Sequence, residues 1–534
     1  MSDVQRIYGG RIHGRFSTGR HRPRRRGFPF KRVIFVLLLL LVALAYWITR
    51  DTHPLHRLIP SQQKYNIVLR DILSSRAELA DSAVWQTLPP TIGSGRITEA
   101  LRGELKLPEW MVRNIIVDDC YLSGNDLVAF SDVLCMAKMT RIGKLIEQLH
   151  WVTPSIQRDT AGGLGLRKFA DESVFYAVRG RLLLFSPSRD ALVNALTLKK
   201  EDALSETAFQ QAFAETGDED IGGTGTFAKD DPLGAIFRDF RFRLWLDKTQ
   251  AHLTWNATLR EEQYARFAPL LEGVSPTELV TPPRGVIAVS GNFNKSLRDL
   301  WLALGPTFAA ENGNGFFSEA QLAEWETWPE EGPPSVPRLL AAILGPLGPG
   351  WRVALQGVNL NEWFPVPLFA GTFDLPESAA APEFLSALAK VPETALPWES
   401  YPRYDAEREK LRIPMVAGPS LEPVAAPYGE GLLVSTSREV AEDMLAREAL
   451  LRPLEQPGNL YVRIQPSACV RTIHDALSFL VNENVLRKQA LHDYQEVLGE
   501  WLYSAERISE CAGLFASKDG EIQADLVVIC GPQV

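Results

Sequence analysis

Gly180-Arg-Leu-Leu-Leu-Phe-Ser186-Pro-Ser188-Arg189-Asp190 and Gly429-Glu-Gly-Leu-Leu-Val-Ser435-Thr-Ser437-Arg438-Glu439 carry one local pattern twice, 249 residues apart. Each reads as a hairpin-turn glycine, a short buried strand and a helix start. Ser186 or Ser188 suits a helix cap, Pro187 its first turn, and Asp190 or Glu439 the positive end of the helix dipole. The match runs on to Leu196 and Leu445. Ser-x-Ser-Arg at a helix start also suits a phosphate, but capping accounts for the same residues without a ligand. A repeated strand–helix unit predicts two related α+β lobes in one chain.

Working outward, the flanking sequence alternates between the two periodicities. Leu127–Met136 reads as a strand and Thr140–His150 as a helix, with Ile142, Leu145, Ile146 and Leu149 on one face. Hairpins are predicted at 173–185, turning at Arg179-Gly180, and at 240–259. A third closes the chain at Asp519-Gly520, pairing Lys518 with Glu521 and Cys511 with Val528. Further strands fall near 286–289, 351–355, 368–373, 403–414, 423–435 and 461–464, with helices at 295–304, 382–390 and 484–507. Residues 62–88 read as mostly helical, and 202–233, Gly-rich in its later half, contains a loop.

The chain has 534 residues, room for three or four domains of roughly 100–200 each. Its 46% apolar and 23% charged residues exclude a mainly disordered, collagen-like or coiled-coil protein. Residues 1–32 hold ten Lys/Arg against Asp3 alone, leaving −18 on the rest of a chain whose net charge is −9. An acidic body is a poor nucleic-acid binder, because phosphate contacts need a positive face.

Val33–Ile48 (VIFVLLLLLVALAYWI) is an uncharged apolar run that predicts a membrane anchor. Lys31 and Arg32 flank it on one side, and Tyr46 and Trp47 suit the opposite interface. The basic tail holds the N-terminus in the cytoplasm and places the body outside, periplasmic and in the cell envelope. Two other readings compete: cleavage after Ala43-Leu44-Ala45, and twin-arginine export at Arg25-Arg26-Gly27-Phe28. All three export the body.

The resulting layout is a basic cytoplasmic tail (1–32), a transmembrane anchor (33–49) and a juxtamembrane helical segment (50–88). A first α+β lobe (89–328), a Pro-rich linker (329–337, PEEGPPSVP) and a second α+β lobe (338–534) follow. The fold class is α+β, two lobes of mostly antiparallel sheet with packed helices behind one N-terminal transmembrane helix. The strand ending Leu-Leu-x-Ser-x-Ser before an acidic helix start, with this anchored layout, resembles a bacterial family of single-anchor envelope proteins of unknown function. The resemblance implies an extracytoplasmic protein with no assigned activity, and brings no catalytic residues.

Motifs with defined chemistry are scarce. Cys120, Cys135, Cys469, Cys511 and Cys530 contain no C-x-x-C pair and read as buried thiols, with a Cys120–Cys135 bridge sterically open. His53-x-x-His56 lacks further metal ligands. Asp218-Glu219-Asp220 with Gly222-Gly223 is no EF-hand, because Lys229 stands where the closing Glu belongs. Gly223-x-Gly225-x-x-Ala228 fails as a dinucleotide loop, and Asp118-Asp119 reads as a solvated turn. There is no G-x-S-x-G elbow or Walker loop, and Ser61-Gln-Gln-Lys64 stands without its partner motifs. The expectation is no metal and no cofactor.

Aromatic residues beside acids are the one feature with a binding flavour: Trp325, Trp328, Trp363, and Trp398 with Glu399. Such pairs stack on sugars and hydrogen-bond them; Trp325 and Trp328, three apart, equally suit a helix core. The expected function is a non-enzymatic scaffold or binding protein contacting an envelope protein or lipid. The alternatives are a glycan- or lipid-directed hydrolase and a lipid or lipoprotein carrier.

Overall fold

The computed structural model describes residues 30–71, 83–87, 116–125, 131–148, 156–159, 164–169, 175–213, 219–229, 233–264, 279–280, 285–293, 347–361, 364–375, 381–389, 403–412, 421–446, 453–518 and 520–531. Met1–Asp51 and Thr52–Val534 are two compact units. The first contains helix α1 (Phe30–Ile48), whose Leu37–Leu41, Val42, Leu44, Tyr46 and Trp47 side chains are exposed. Among the described residues no helix is long and apolar enough to cross a membrane.

The second unit is α+β, dominated by a large antiparallel sheet. Its first ten strands are β1 (Tyr65–Leu69), β2 (Ile116–Gly124), β3 (Leu134–Met139), β4 (Ile156–Asp159), β5 (Leu166–Phe169), β6 (Phe175–Arg179), β7 (Leu182–Ser186), β8 (Ile221–Thr226), β9 (Phe237–Leu246) and β10 (Gln250–Leu259). The next ten are β11 (Ile287–Asn292), β12 (Gly350–Asn359), β13 (Val366–Asp374), β14 (Arg403–Asp405), β15 (Lys410–Arg412), β16 (Val424–Tyr428), β17 (Gly431–Ser435), β18 (Leu460–Ile464), β19 (Ile508–Lys518) and β20 (Glu521–Cys530).

Every pairing among them is antiparallel. From one edge inward the order is β4-β5-β6-β7-β3-β2-β1-β8-β9-β10. From the other edge it is β14-β15-β16-β17-β13-β12-β11-β18-β19-β20. The second order repeats the first with ten added to each number, and β10 pairs with β20 where the halves meet. One strand ladder therefore runs through Thr52–Val534, across the region where the sequence suggested a linker. Residues 329–337 lie outside the described residues.

Helices fall at matching places. α2 (Ala83–Thr87) is short; α3 (Arg141–Gln148) follows β3; α4 (Arg189–Thr197) and α5 (Glu206–Phe213) follow β7. In the second half α6 (Ala381–Leu388) follows β13 and α7 (Arg438–Ala446) follows β17. The strand–helix pattern met twice in the sequence is β6-β7-α4 and β16-β17-α7. Both turn glycines, Gly180 and Gly429, take φ 58°, which only glycine adopts without strain. Ser188 is the cap of the first unit, its hydroxyl accepting from the Ala191 N–H at 3.2 Å. Ser186 and Ser435 are buried and accept from the Ser188 and Ser437 N–H groups within their turns, and Ser435 also donates to the Phe369 carbonyl of β13 at 2.9 Å, so both serve the fold.

Each half packs its helices on this sheet. Val68, Leu134, Met136, Leu184, Leu192 and Phe213 form the main cluster under α4 and α5; Ala370, Val424, Leu433, Val440 and Met444 form its counterpart under α7. Burying a side chain of this kind contributes about 1.5–3 kcal/mol.

Two segments depart from the sequence expectation. Residues 65–69 lie in the segment read as helical, yet form β1, paired on both sides by β2 and β8. Ile221–Thr226, expected as part of a loop, is β8 in the sheet interior. Its glycines make room for rings. A Cβ on Gly225 would lie 2.6 Å from the Phe240 ring and 3.0 Å from the Lys64 carbonyl oxygen; one on Gly223 would lie 2.7 Å from the Phe242 ring. Gly225→Val, favourable by strand propensity alone, is therefore expected to destabilise by about 1–3 kcal/mol through overpacking. A lowered urea midpoint with an unchanged slope would show it; an unchanged midpoint would remove this account of the glycine.

Candidate functional site

Where the halves meet, side chains on facing strands form polar rows on one face of the sheet. Residues directly opposite share a face, and so do residues two apart along a strand. Asn66, Thr224, Arg241, Asn256 and Gln523 make one row across β1, β8, β9, β10 and β20. Thr226, Asp239, Thr258 and Glu521 make the next. Between them Gly225, Phe240, Ala257 and Ile522 belong to the opposite face, which is why an alternating sequence yields one polar and one apolar surface. The rows line an open basin of about 450 Å³, with Gln63 and Lys64 at its end.

Two sets of charged groups in this face are tied to neighbours. Asp239 accepts from the Thr258 hydroxyl at 2.5 Å and pairs with Arg238 at 2.7 Å. His252 Nε2 bonds Asp525 Oδ1 across β10 and β20, and the Trp245 ring stacks on the imidazole with centroids 5.1 Å apart. Asp525 stands opposite Thr254, midway along the β10–β20 pairing. The basin offers hydrogen-bond donors and acceptors over five strands, the chemistry of polar recognition.

Two further charge clusters are largely shielded from solvent, each with one buried member, Glu219 and Lys144. Arg70, just after β1, donates to Asp119 at 3.1 Å, to Glu219 at 3.1 Å and to the Phe213 carbonyl at 2.8 Å. This corrects one sequence reading: Asp119 is one arm of an internal ion pair and not a solvated turn. Glu219 is fully buried. Asp220 accepts from the Leu246 N–H at 2.6 Å, so the acidic run before Gly222 serves the fold. On α3, the Lys144 ammonium lies 3.7 Å from Glu147, whose carboxylate also pairs with Arg167. Burial, with Arg167 nearby, lowers the Lys144 ammonium to about 8, and burial raises the Tyr176 hydroxyl to about 12.

Among the described residues the second half carries a helical hairpin that has no counterpart in the first. β8 and β9 are joined by residues 227–236, whereas β18 and β19 are joined by 465–507, which hold α8 (Pro466–Asn482) and α9 (Lys488–Ala505) packed as a hairpin. This hairpin exposes Ile473, Val485, Val497, Leu498 and Trp501, the last two of the five being 37% and 78% exposed. Val497 and Trp501, four apart, share a helix face.

Of the residues singled out in the sequence, Trp325, Trp328, Trp363, Trp398 and Glu399 lie outside the described residues. Lys31, Arg32, Tyr46 and Trp47 lie in α1, the last two exposed. Among the described residues no group of three or more His, Cys, Asp or Glu is placed to hold a metal ion. Sequence reasoning did not find the polar rows or Trp501. The rows need the registers of five strands. Trp501 lies in a segment read as helical, and its exposure is a tertiary property.

No protein-family model and no curated protein matches the chain. Among solved structures, crystal forms III, IV and I of TP0453 align with TM-scores of 0.26, 0.25 and 0.26 at 7%, 8% and 7% identity. Each alignment covers 41% of this chain, and 87%, 86% and 86% of theirs respectively. A likeness of that size carries no inference about this chain.

Proposed function

We propose that this chain is a membrane-anchored, extracytoplasmic scaffold or binding protein of the cell envelope, without enzymatic activity, built from two related halves. The observation that carries the reading is the α8–α9 hairpin. It is inserted between β18 and β19, which still pair as β8 and β9 do, and presents five large apolar side chains to solvent. Exposed apolar patches of this kind mark contact surfaces, and an element present in only one of two matching halves is where a new contact would be added. The repeated strand order supports descent of both halves from one ten-strand unit. The apolar sequence of α1 and the basic tail before it support a single-pass anchor with the body outside.

The hydrolase alternative rests on acids of the second half such as Glu399, which lies outside the described residues; in the basin the described acids are Asp239 and Glu521. β10 separates their strands, a spacing of about 10 Å, and Asp239 is held by Arg238 and Thr258. That arrangement favours display over proton transfer.

A photo-crosslinking residue at Val497, compared with one at Arg241, tests the proposal in intact cells. A discrete protein adduct from position 497 but not 241, abolished by Trp501→Glu in a protein still inserted in the membrane, is the expected result. Adducts to glycan at 241 with none at 497 would overturn it in favour of the hydrolase reading.

A further inference from the structure

We propose that Cys120 and Cys135 form a redox pair that closes into a disulfide on contact with a dithiol–disulfide donor. Their sulfurs lie 3.1 Å apart, about 1 Å beyond a bonded pair. They sit on adjacent central strands, where Cys120 faces Ala137 and Leu122 faces Cys135, so the two cysteines are diagonal neighbours on one face. Diagonal neighbours are ordinarily too far apart to bond. Here the β2–β3 register shifts between Ile116 and Cys120, and this irregularity ends on the cysteine itself. β-Bulges re-aim side chains in this manner. Both residues are half-buried free thiols. The second half has no such pair: its matching strands, β12 and β13, contain no cysteine.

The chemistry balances in two exchanges. The Cys120 thiolate attacks one sulfur of the donor disulfide, forming a mixed disulfide and releasing one donor thiol. Cys135 then loses its proton to solvent and attacks the Cys120 sulfur, displacing the second donor thiol. Two cysteine thiols are oxidised and one donor disulfide is reduced to two thiols. The hydrogen bond to Cys120, with burial, holds the Cys135 thiol well above its ordinary range, which disfavours Cys135 as the first attacking thiolate; once Cys120 is in the mixed disulfide that hydrogen bond is gone.

In the cell the donor would be the oxidising machinery outside the cytoplasm, so that part rests on the proposed location; the pairing itself does not. The purified full-length chain in detergent is exposed to oxidised glutathione, alkylated and digested with trypsin. Both cysteines fall in one peptide, Asn114–Lys138. The expected product is that peptide two hydrogens lighter and unalkylated, while Cys469 still alkylates and Cys120→Ser or Cys135→Ser yields only a glutathione adduct. Persistent mixed disulfide in the wild type, or alkylation of both cysteines at the rate of Cys469, would overturn the pairing. Alkylation of growing cells before lysis is the second arm. A pair that closes in vitro but is alkylated in cells would keep the redox pair and sink the extracytoplasmic location.

Discussion

Arg70→Met is expected to lower the stability of Thr52–Val534 by about 3–5 kcal/mol, the usual cost of removing one partner from a buried ion pair. Arg70 reaches Asp119 on β2, Glu219 before β8 and the Phe213 carbonyl at the end of α5. It therefore ties β1 to both neighbouring strands and to the helix layer. Methionine keeps the volume of the stem and removes the guanidinium, so the loss reports charge and hydrogen bonding, not a cavity. Arg70→Lys keeps the charge but not the fork that serves three acceptors, and is expected to recover only part of the loss. Denaturant unfolding followed by tryptophan fluorescence measures both. A methionine variant within 1 kcal/mol of the wild type, on the order of a surface pair, would mean that the cluster is not the tie described.

Lys144→Met is expected to act in the opposite direction. The folded chain lowers the Lys144 ammonium from 10.5 to about 8, chiefly by burial, with Arg167 adding repulsion. Below about pH 8 the lysine is charged in both states and the folded state bears the full penalty, on the order of 3 kcal/mol. Between about 8 and 10.5 the unfolded chain binds more protons than the folded one, so the wild type gains stability as pH rises. The difference between Lys144→Met and wild type should thus be large and positive at pH 7 and vanish by about pH 10.5. Taking the difference matters, because Tyr176, raised to about 12, and Cys511, raised to about 11, pull the other way in alkali. A pH-independent difference would show that folding does not lower the Lys144 ammonium, and a variant less stable at pH 7 would show that Glu147 stabilises it instead.

Much of the local structure was legible without coordinates. The closing hairpin pairs Lys518 with Glu521 and Cys511 with Val528, as the turn at Gly520 implied. The hairpins of β6-β7 and β9-β10, and the helices α3, α4, α6 and α7, lie within a few residues of their periodic patterns. The two departures have physical causes. Tyr65-Asn-Ile-Val-Leu69 is too short to establish a period and takes its strand form from two partners 50 or more residues away. Ile221–Thr226 has a loop's composition and is a strand because aromatic rings of β9 need its missing side chains.

What the sequence determined by itself is therefore much of what acts over a few residues: hairpin turns and their registers, a serine cap at 186 or 188, the helix faces and the apolar N-terminal run. The tertiary structure decided what depends on residues far apart in the chain. It merged the predicted lobes' strands into one ladder through β10 and β20, gathered Asn66, Arg241 and Gln523 into one polar row, and drew Arg70 to acids 49 and 149 positions away. Backbone hydrogen bonds accept any strand as a partner, so composition alone does not specify which strands meet. That choice is made by side-chain packing across the whole sheet.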